Sequence, residues 1–229
     1  MKDSHSLGAR PRIGVFGGAF DPPHMAHVQL AQTAIAELSL DTLYVVPTGS
    51  ALHKNRLLSA AQHRLCMTQL AFEGLDKVII DACELGRSGV SYTFDTVYEL
   101  HQQHLGADIY LIIGADQARL FDTWHRWTEL LQLVTLAIAA RAPEITPDTT
   151  QGDQNLELDH YRWHNQSLVK SVQNSRERPH PEMAVTLNMP SMSVSATQIR
   201  SSIKGGVDVS HWVSPAVLSY ITAHSLYTP

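Results

Sequence analysis

Short apolar runs alternate along this chain with longer segments whose apolar residues recur every three or four positions. The short runs have the length of buried strands and cover residues 13–16, 42–46, 77–83, 108–113, 133–139 and 183–187. The longer segments predict one helix that begins near His27 and others over residues 59–72, 91–104, 195–203 and 215–224. Strands that alternate with helices predict an α/β fold: a Rossmann-like parallel sheet with helices on both faces and a small C-terminal helical segment.

The turn between the first strand and the first helix carries the most distinctive chemistry. Residues 17–27 read GGAFDPPHMAH. Gly17 and Gly18 permit a left-handed backbone and a close approach of ligand, and the helix start offers unpaired N–H groups. His24 and His27 are three residues apart, so both rings can face one side. The stretch favours a phosphate site, and a surface histidine pair or half of a metal site is the alternative in a chain with 13 histidines.

A second polar helix start lies far along the chain, where residues 194–200 read VSATQIR. Ser195 is suited to capping the helix, and Thr197 and Arg200 are three residues apart, so both can face one ligand. The planar guanidinium of arginine stays charged and binds two phosphate oxygens at once. The alternative is that this serine and threonine only cap the helix.

Composition narrows the function classes. The chain has 229 residues and a net charge of −5, which argues against a broad nucleic-acid surface, and no apolar run is long enough to span a membrane. We expect a single domain over residues 1–229, with residues 1–10 disordered and 141–181 a polar surface excursion that holds a helix near 156–172. Cys66 and Cys83 are expected to be buried free thiols, and the cytoplasm is the expected compartment.

The two motifs together resemble the signatures of adenylyl- and cytidylyltransferases, Gly-x-Phe-x-Pro-x-His-x-Gly-His and Ile-Ser-Ser-Thr-x-Ile-Arg. Ala26 stands where that family has glycine, and Val194 and Ala196 replace its isoleucine and second serine. Other segments narrow the resemblance to nicotinate-nucleotide adenylyltransferase. They are residues 47–54, 87–96, 112–116 with Phe121 and Trp124, and the closing 213–227.

This resemblance implies transfer of the adenylyl group of ATP to nicotinate mononucleotide, giving deamido-NAD and pyrophosphate in NAD biosynthesis, with Mg²⁺ as cofactor. It implies that His24, His27 and Arg200 are catalytic. It also implies an ATP site formed by Gly17, Gly18, Phe20, Asp116, Ser195 and Thr197. No residue is predicted to ligate a metal.

For substrate binding the resemblance implies three further residues. Lys54 would lie beside the phosphates, Thr93 would present a helix start to the pyridine carboxylate, and Trp124 would stack on the ring. The alternatives are a solvated lysine, a core tryptophan with Trp127 as the competing aromatic, and an Asp116 that only caps the next helix.

Two rival functions stay open at this point. One is another adenylyltransferase of the same superfamily, acting on nicotinamide mononucleotide or phosphopantetheine. The other is a non-catalytic nucleotide-binding module, which the alanines at positions 26 and 196 suggest. The expected partners are small molecules, with no nucleic acid and no membrane, and an oligomer is possible.

Overall fold

The computed structural model describes residues 9–49, 58–141, 184–190 and 192–228. Its strands are β1 Arg12–Gly18, β2 Thr42–Pro47, β3 Val78–Ile80, β4 Asp108–Gly114, β5 Thr135–Arg141 and β6 Ala184–Met189. In the described chain these strands form a six-stranded sheet in the order β3-β2-β1-β4-β5-β6, and every neighbouring pair is parallel. The predicted α/β class with a parallel sheet is therefore confirmed.

The described helices either lie between strands in the sequence or follow the last strand. They are α1 Met25–Glu37, α2 Ala61–Phe72, α3 Cys83–Gly86, α4 Thr93–Gln103, α5 Ala115–Ala118, α6 Trp127–Leu133, α7 Ala196–Lys204 and α8 Pro215–Ala223, with a 3₁₀ turn at Phe121–Thr123. Helix α1 packs on one face of the sheet with the end of α2, whereas α4 and α6 pack on the other face. Both faces are covered, as the sequence predicts.

Strand β4 shows why the sheet needs cover on both sides. Tyr110 and Ile112 pack toward α1, whereas Leu111 and Ile113 pack toward α4 and α6. Successive side chains of a strand point to opposite faces, so a strand that is apolar throughout has to be buried on both.

The connections place a crevice at the carboxyl end of β1. This strand lies between β2 and β4, and the chain fills the β2 side of the sheet before it returns to the β4 side. Parallel sheets bind ligands where such neighbouring connections diverge. The glycine–histidine turn of residues 17–27 therefore begins at the point of the fold best suited to a ligand.

A third, smaller core attaches the C-terminal segment. Met67 of α2 is buried against Ile199 of α7 and against Val217 and Ile221 of α8. The predicted C-terminal helical segment is present, and it lies beside the start of α1 because the backbone N–H of Met25 donates to the carbonyl of Trp212 at 2.8 Å.

Some predicted boundaries are wrong. The strand predicted over 77–83 ends at Ile80, because the carboxylate of Asp81 accepts from the N–H of Cys83 at 2.9 Å and starts α3. Leu133 belongs to α6 and not to the following strand. Cys66 and Cys83 are free thiols, but they are half-buried where full burial was expected.

Several predictions fall wholly or mostly outside the described residues. These are the disordered start, the polar excursion and the helix near 156–172. Of the start, Arg10 is described, and its guanidinium pairs with Asp108 at 2.9 Å. In the described residues we find no helix that is long and apolar enough to cross a membrane.

Candidate active site

A cleft of about 540 Å³ opens at the carboxyl end of β1. Its volume falls in the usual range for sites that bind small molecules. The described residues that line it come from two distant parts of the sequence: Ala19, Phe20, Asp21, His24 and His27, and Val194, Ser195, Ala196, Thr197 and Arg200. The structure therefore brings the two sequence motifs to one cleft.

The backbone of the first motif differs from the prediction at its glycines. Neither Gly17 nor Gly18 has a positive φ, and the left-handed residue of the turn is Phe20, with φ of 46°. Gly18 serves a different purpose, because a Cβ there would lie 2.9 Å from the ring of Phe20. The glycine is required by close packing inside the turn and not by its own conformation. Gly17 is exposed at the end of β1 and is not among the lining residues.

Phe20 supports the site from behind. Its side chain is 1% exposed, so the ring belongs to the core. It packs edge-on against Phe16 at 5.5 Å and against the ring of His27 at 5.1 Å, measured between ring centroids. These contacts fix the imidazole of His27 at the cleft.

The two histidines of the motif are stacked, with ring centroids 3.8 Å apart. The backbone N–H of His24 donates to Nδ1 of His27 at 3.1 Å. Because Nδ1 accepts this bond, a neutral His27 ring carries its proton on Nε2. His27 is thereby a hydrogen-bond donor through Nε2, which suits a phosphate oxygen.

His24 is held neutral by its surroundings. The residue is 7% exposed, and burial lowers its pKa from 6.5 to about 4. Among the described residues its buried Nδ1 has no hydrogen-bond partner. A buried polar atom without a partner is costly, and the same burial favours the uncharged ring. At pH 7 His24 is therefore neutral and brings no positive charge to the cleft.

The second motif supplies the charge. Ser195 caps helix α7 by accepting from the N–H of Gln198 at 3.2 Å. The Arg200 guanidinium donates to the Thr197 hydroxyl at 3.0 Å and to the backbone carbonyl of Asp21 at 2.7 Å. This last bond joins residues 179 positions apart, and it links the two motifs directly. Ser195 caps the helix, as the alternative interpretation of this motif predicts, and it also lines the cleft.

Sequence reasoning missed a buried arginine that holds the site's loops. Arg64 is 3% exposed, and one of its terminal nitrogens donates to the carbonyls of Ala19 at 3.1 Å and Thr48 at 2.6 Å. These carbonyls follow β1 and β2, so Arg64 ties the two strand ends together. A signal was present, because Arg64 lies on the same helical face as the buried Met67 and Thr68. A charged residue among apolar helical positions indicates a buried polar network.

Sequence reasoning also missed a buried carboxylate and its partner. Asp21 is fully buried, and its Oδ1 accepts from the hydroxyl of Tyr227 at 2.7 Å. The carboxylate lies inside the motif, but nothing local in the sequence pairs it with a tyrosine 206 positions away.

The residues predicted for the pyridine nucleotide lie on neighbouring segments. Thr93 is the first residue of α4, and Trp124 follows the 3₁₀ turn and packs partly on the core. The two segments touch because Tyr92 and His125 stack with ring centroids 4.1 Å apart. Tyr92 lies within the segment 87–96 that carries the family resemblance, whereas His125 is a residue of this region that the sequence interpretation did not identify.

Gly18, Thr93 and Trp124 are not among the described residues that line the cleft, and two further predicted site residues remain to be placed. Asp116 is exposed in the first turn of α5, where it pairs with Arg119 at 3.0 Å. It is not among the described residues that line the cleft. Lys54 lies outside the described residues.

The cleft offers a divalent metal little protein ligation. Of the described residues that line it, Asp21 carries the one carboxylate, whose oxygens accept from Tyr227 and from the N–H of Ser59. Across the part of the chain that the structure describes, no group of three or more acidic, histidine or cysteine side chains could hold a metal ion. Mg²⁺ commonly binds through substrate phosphates and waters, and this cleft fits that mode.

The fold and the site define a class of protein. A family model described as cytidylyltransferase-like matches residues 15–202, which includes both motifs. A probable nicotinate-nucleotide adenylyltransferase of Albidiferax ferrireducens is 44% identical over 94% of this chain and 98% of its own length. One from Neisseria meningitidis serogroup B is 33% identical over the same shares. Within the cytidylyltransferase-like class, the chain belongs to the nicotinate-nucleotide adenylyltransferase family.

Solved structures show the same fold. A Plasmodium falciparum nicotinic acid mononucleotide adenylyltransferase complexed with NaAD superposes with a TM-score of 0.69 at 19% identity, covering 95% of this chain and 98% of that one. The same enzyme complexed with APC gives a TM-score of 0.67 at 18% identity over the same shares. The family resemblance stated from the sequence is confirmed.

Proposed function

We propose that this protein transfers the adenylyl group of ATP to nicotinate mononucleotide, giving deamido-NAD and pyrophosphate in NAD biosynthesis. Family membership supports the reaction, and one structural observation supports its location in the cleft. The guanidinium of Arg200 is bonded to the backbone of the histidine turn, so the cation of one motif and the imidazoles of the other face a single cleft.

The chemistry asks little of a general base. The phosphate of nicotinate mononucleotide is ionised near pH 7, and one of its oxygens attacks the α-phosphorus of ATP. The bond from that phosphorus to the bridging oxygen breaks, and pyrophosphate leaves with the electron pair. Holding the two anions in line supplies on the order of 7–11 kcal/mol of the barrier. The protein's task is positioning and charge stabilisation.

Our assignment of roles follows the electrostatics of the site. His27 would donate from Nε2 to the phosphate oxygens that gain charge, and Arg200 would supply the positive charge. His24, neutral through burial, would present an uncharged imidazole to the phosphates. Ser195 and Thr197 would add hydroxyls at the start of α7.

The remaining predicted contacts stay part of the proposal. Gly17, Gly18 and Phe20 would shape the backbone beside the triphosphate, and Asp116 would accept from a ribose. Lys54 would lie near the phosphates. For the pyridine ring, Thr93 would offer the N–H groups at the start of α4, and Trp124 would stack on the ring.

We propose Mg²⁺ as the cofactor that accompanies ATP. Its contribution is neutralisation of charge on the phosphate oxygens. The ATP phosphates would hold it, because the described lining supplies one carboxylate that is already hydrogen-bonded. We further propose a cytoplasmic protein, since ATP is abundant there, and leave an oligomer possible.

A side-by-side turnover assay tests this proposal. Purified protein with ATP and Mg²⁺ should release pyrophosphate with nicotinate mononucleotide, and it should do so more slowly with nicotinamide mononucleotide or phosphopantetheine. Preference for the amide would overturn the assignment of the acid. ATP binding without pyrophosphate release from any acceptor would instead show a non-catalytic nucleotide-binding module.

A further inference from the structure

The segment that follows helix α7 is hydrogen-bonded to the glycine–histidine turn at two points. The carbonyl of Trp212 accepts from the N–H of Met25, the first residue of α1, at 2.8 Å. The hydroxyl of Tyr227 donates to the carboxylate of Asp21 at 2.7 Å. Neither Trp212 nor Tyr227 belongs to the two motifs, yet both bond to the turn that carries the catalytic histidines.

Tyr227 has a backbone conformation that bulky residues rarely adopt. Its φ of 65° lies in the left-handed region, where a residue with a bulky side chain is strained. Such a residue persists when its surroundings fix it, and the bond to Asp21 is one such contact. Burial, together with the charge of Asp21, raises the pKa of Tyr227, so its hydroxyl stays protonated and remains a donor at physiological pH.

Asp21 transmits this contact to the cleft. The residue is fully buried; its side chain accepts from Tyr227, and its backbone carbonyl accepts from Arg200 at 2.7 Å. The carboxylate and the carbonyl belong to one residue, so the contact with Tyr227 and the anchor of the guanidinium are joined at the same Cα. Tyr227 and Arg200 are thereby linked through a single intervening residue.

We propose that Tyr227 is a positioning residue for adenylyl transfer, which fixes the guanidinium of Arg200 by holding Asp21 in place. The inference rests on the proposed function, and it assigns Tyr227 no contact with substrate. Preorganised charges act most strongly where charge develops during the reaction. Loss of the hydroxyl should therefore lower kcat more than it weakens the binding of ATP.

The first experiment removes the hydroxyl alone. Tyr227→Phe should lower kcat about tenfold, a loss in keeping with the cost of small misplacements at active sites, while the KM for ATP changes by less than about threefold. The matched control is Tyr220→Phe. Its hydroxyl lies 3.0 Å from Nδ1 of His63, so the control removes a similar contact between the C-terminal segment and α2 outside the cleft. The control should keep the wild-type kcat.

A double-mutant cycle separates positioning from a general structural role. If Tyr227 acts through Arg200, then Tyr227→Phe added to Arg200→Ala should lower kcat no further. A full tenfold loss in that background would overturn the proposal. The proposal also fails if Tyr227→Phe lowers Tm and leaves the kcat of the folded enzyme unchanged, since that is the signature of a stabilising contact only.

The cycle also has a form that needs no turnover. If the wild-type protein released no pyrophosphate, the proposed function would fail, and calorimetric ATP affinities of the same four proteins would still decide the role of Tyr227. A loss of affinity of about twofold to threefold that disappears in the Arg200→Ala background supports the link, whereas an equal loss in both backgrounds contradicts it.

A second variant covers the case in which Tyr227→Phe does not fold. Asp21→Asn keeps an oxygen that accepts from Tyr227, whereas Asp21→Ala removes it. Retention of clearly more activity by the asparagine variant supports the proposal, and equal losses in both variants contradict it.

Discussion

The site that we propose has two halves, one for the phosphates and one for the pyridine ring, and they are built in different ways. The phosphate half is a closed hydrogen-bonded arrangement, in which Arg64, Asp21 and Arg200 tie buried backbone carbonyls and side chains together. The proposed pyridine half rests on ring contacts: Tyr92 packs against His125 between two segments, and Trp124 packs against the buried Phe121 within one of them. The first half is preorganised for charge, whereas the second offers aromatic surface and a helix start.

This difference separates their expected functions. A rigid set of donors stabilises charge that changes during the reaction, so damage to the phosphate half should lower kcat. Aromatic contacts stabilise the bound substrate and the transition state to the same extent. Damage to the pyridine half should therefore raise KM and leave kcat nearly unchanged. Single substitutions in each half can test that division.

The largest effect is expected from His27→Ala. Loss of the Nε2 donor should lower kcat by about a hundredfold or more, in line with the loss of one preorganised donor, while the variant stays folded. Steady-state pyrophosphate release and circular dichroism measure the two quantities. His211→Ala, a change to an exposed histidine outside the described lining, is the control and should match the wild type. A kcat for His27→Ala within about threefold of the wild type would contradict the role of His27.

Next in size is an effect of pH on stability through His24. The pKa of His24 is about 4 in the folded protein and 6.5 in the unfolded chain. Between these pH values the unfolded chain is therefore protonated at His24, whereas the folded protein is not. The free energy of unfolding should therefore fall as pH drops from 6.5 to 4, by about 1.4 kcal/mol per unit and about 3 kcal/mol altogether from this residue.

His24→Gln isolates this contribution because glutamine does not titrate. Urea denaturation between pH 7 and pH 4.5 should show a shallower loss of stability for the variant than for the wild type. Equal slopes would show that His24 is not held neutral by burial.

A smaller effect is expected in the pyridine half. Trp124→Ala should raise the KM for nicotinate mononucleotide roughly tenfold, about what a lost aromatic contact costs, with kcat nearly unchanged. Trp124→Phe should retain most of the affinity, and Trp127→Phe serves as the control on the neighbouring tryptophan. If the Trp127 variant shows the larger rise in KM, the stacking residue has been assigned wrongly.

The smallest effect is expected at Ser195, which both caps α7 and lines the cleft. Ser195→Ala should lower the free energy of unfolding by about 1 kcal/mol through loss of the cap. It should also raise the KM for ATP about threefold, the loss of a modest hydrogen bond.

Ser214→Ala provides the matched control for this prediction. Ser214 caps α8 by accepting from the N–H of Val217 at 3.3 Å and does not line the cleft. It should show the loss in stability and no change in KM. Identical KM values for the two variants would show that Ser195 acts only as a helix cap.

The features that the sequence predicted well are local. Apolar spacing predicts strands and helices because each position depends on its near neighbours, and the three-residue spacings of both motifs place their side chains on one face. The parallel sheet then brings the motifs together, since strand ends meet at one edge.

The features that the sequence did not predict depend on distant contacts. The left-handed residue of the turn is Phe20 and not a glycine, because its buried ring packs against Phe16 and His27. The bond from Tyr227 to Asp21 joins residues with no shared local pattern. Short helices such as α5 were missed for a different reason, which is local: four residues carry too little periodicity to recognise.

The central claim is that both motifs bind one triphosphate. A crystal structure of the protein with nicotinate mononucleotide and a non-hydrolysable ATP analogue tests it most directly. We predict that triphosphate oxygens lie within about 3.2 Å of both Nε2 of His27 and the guanidinium of Arg200. A triphosphate that contacts only one motif, or that binds outside the cleft, would contradict this claim.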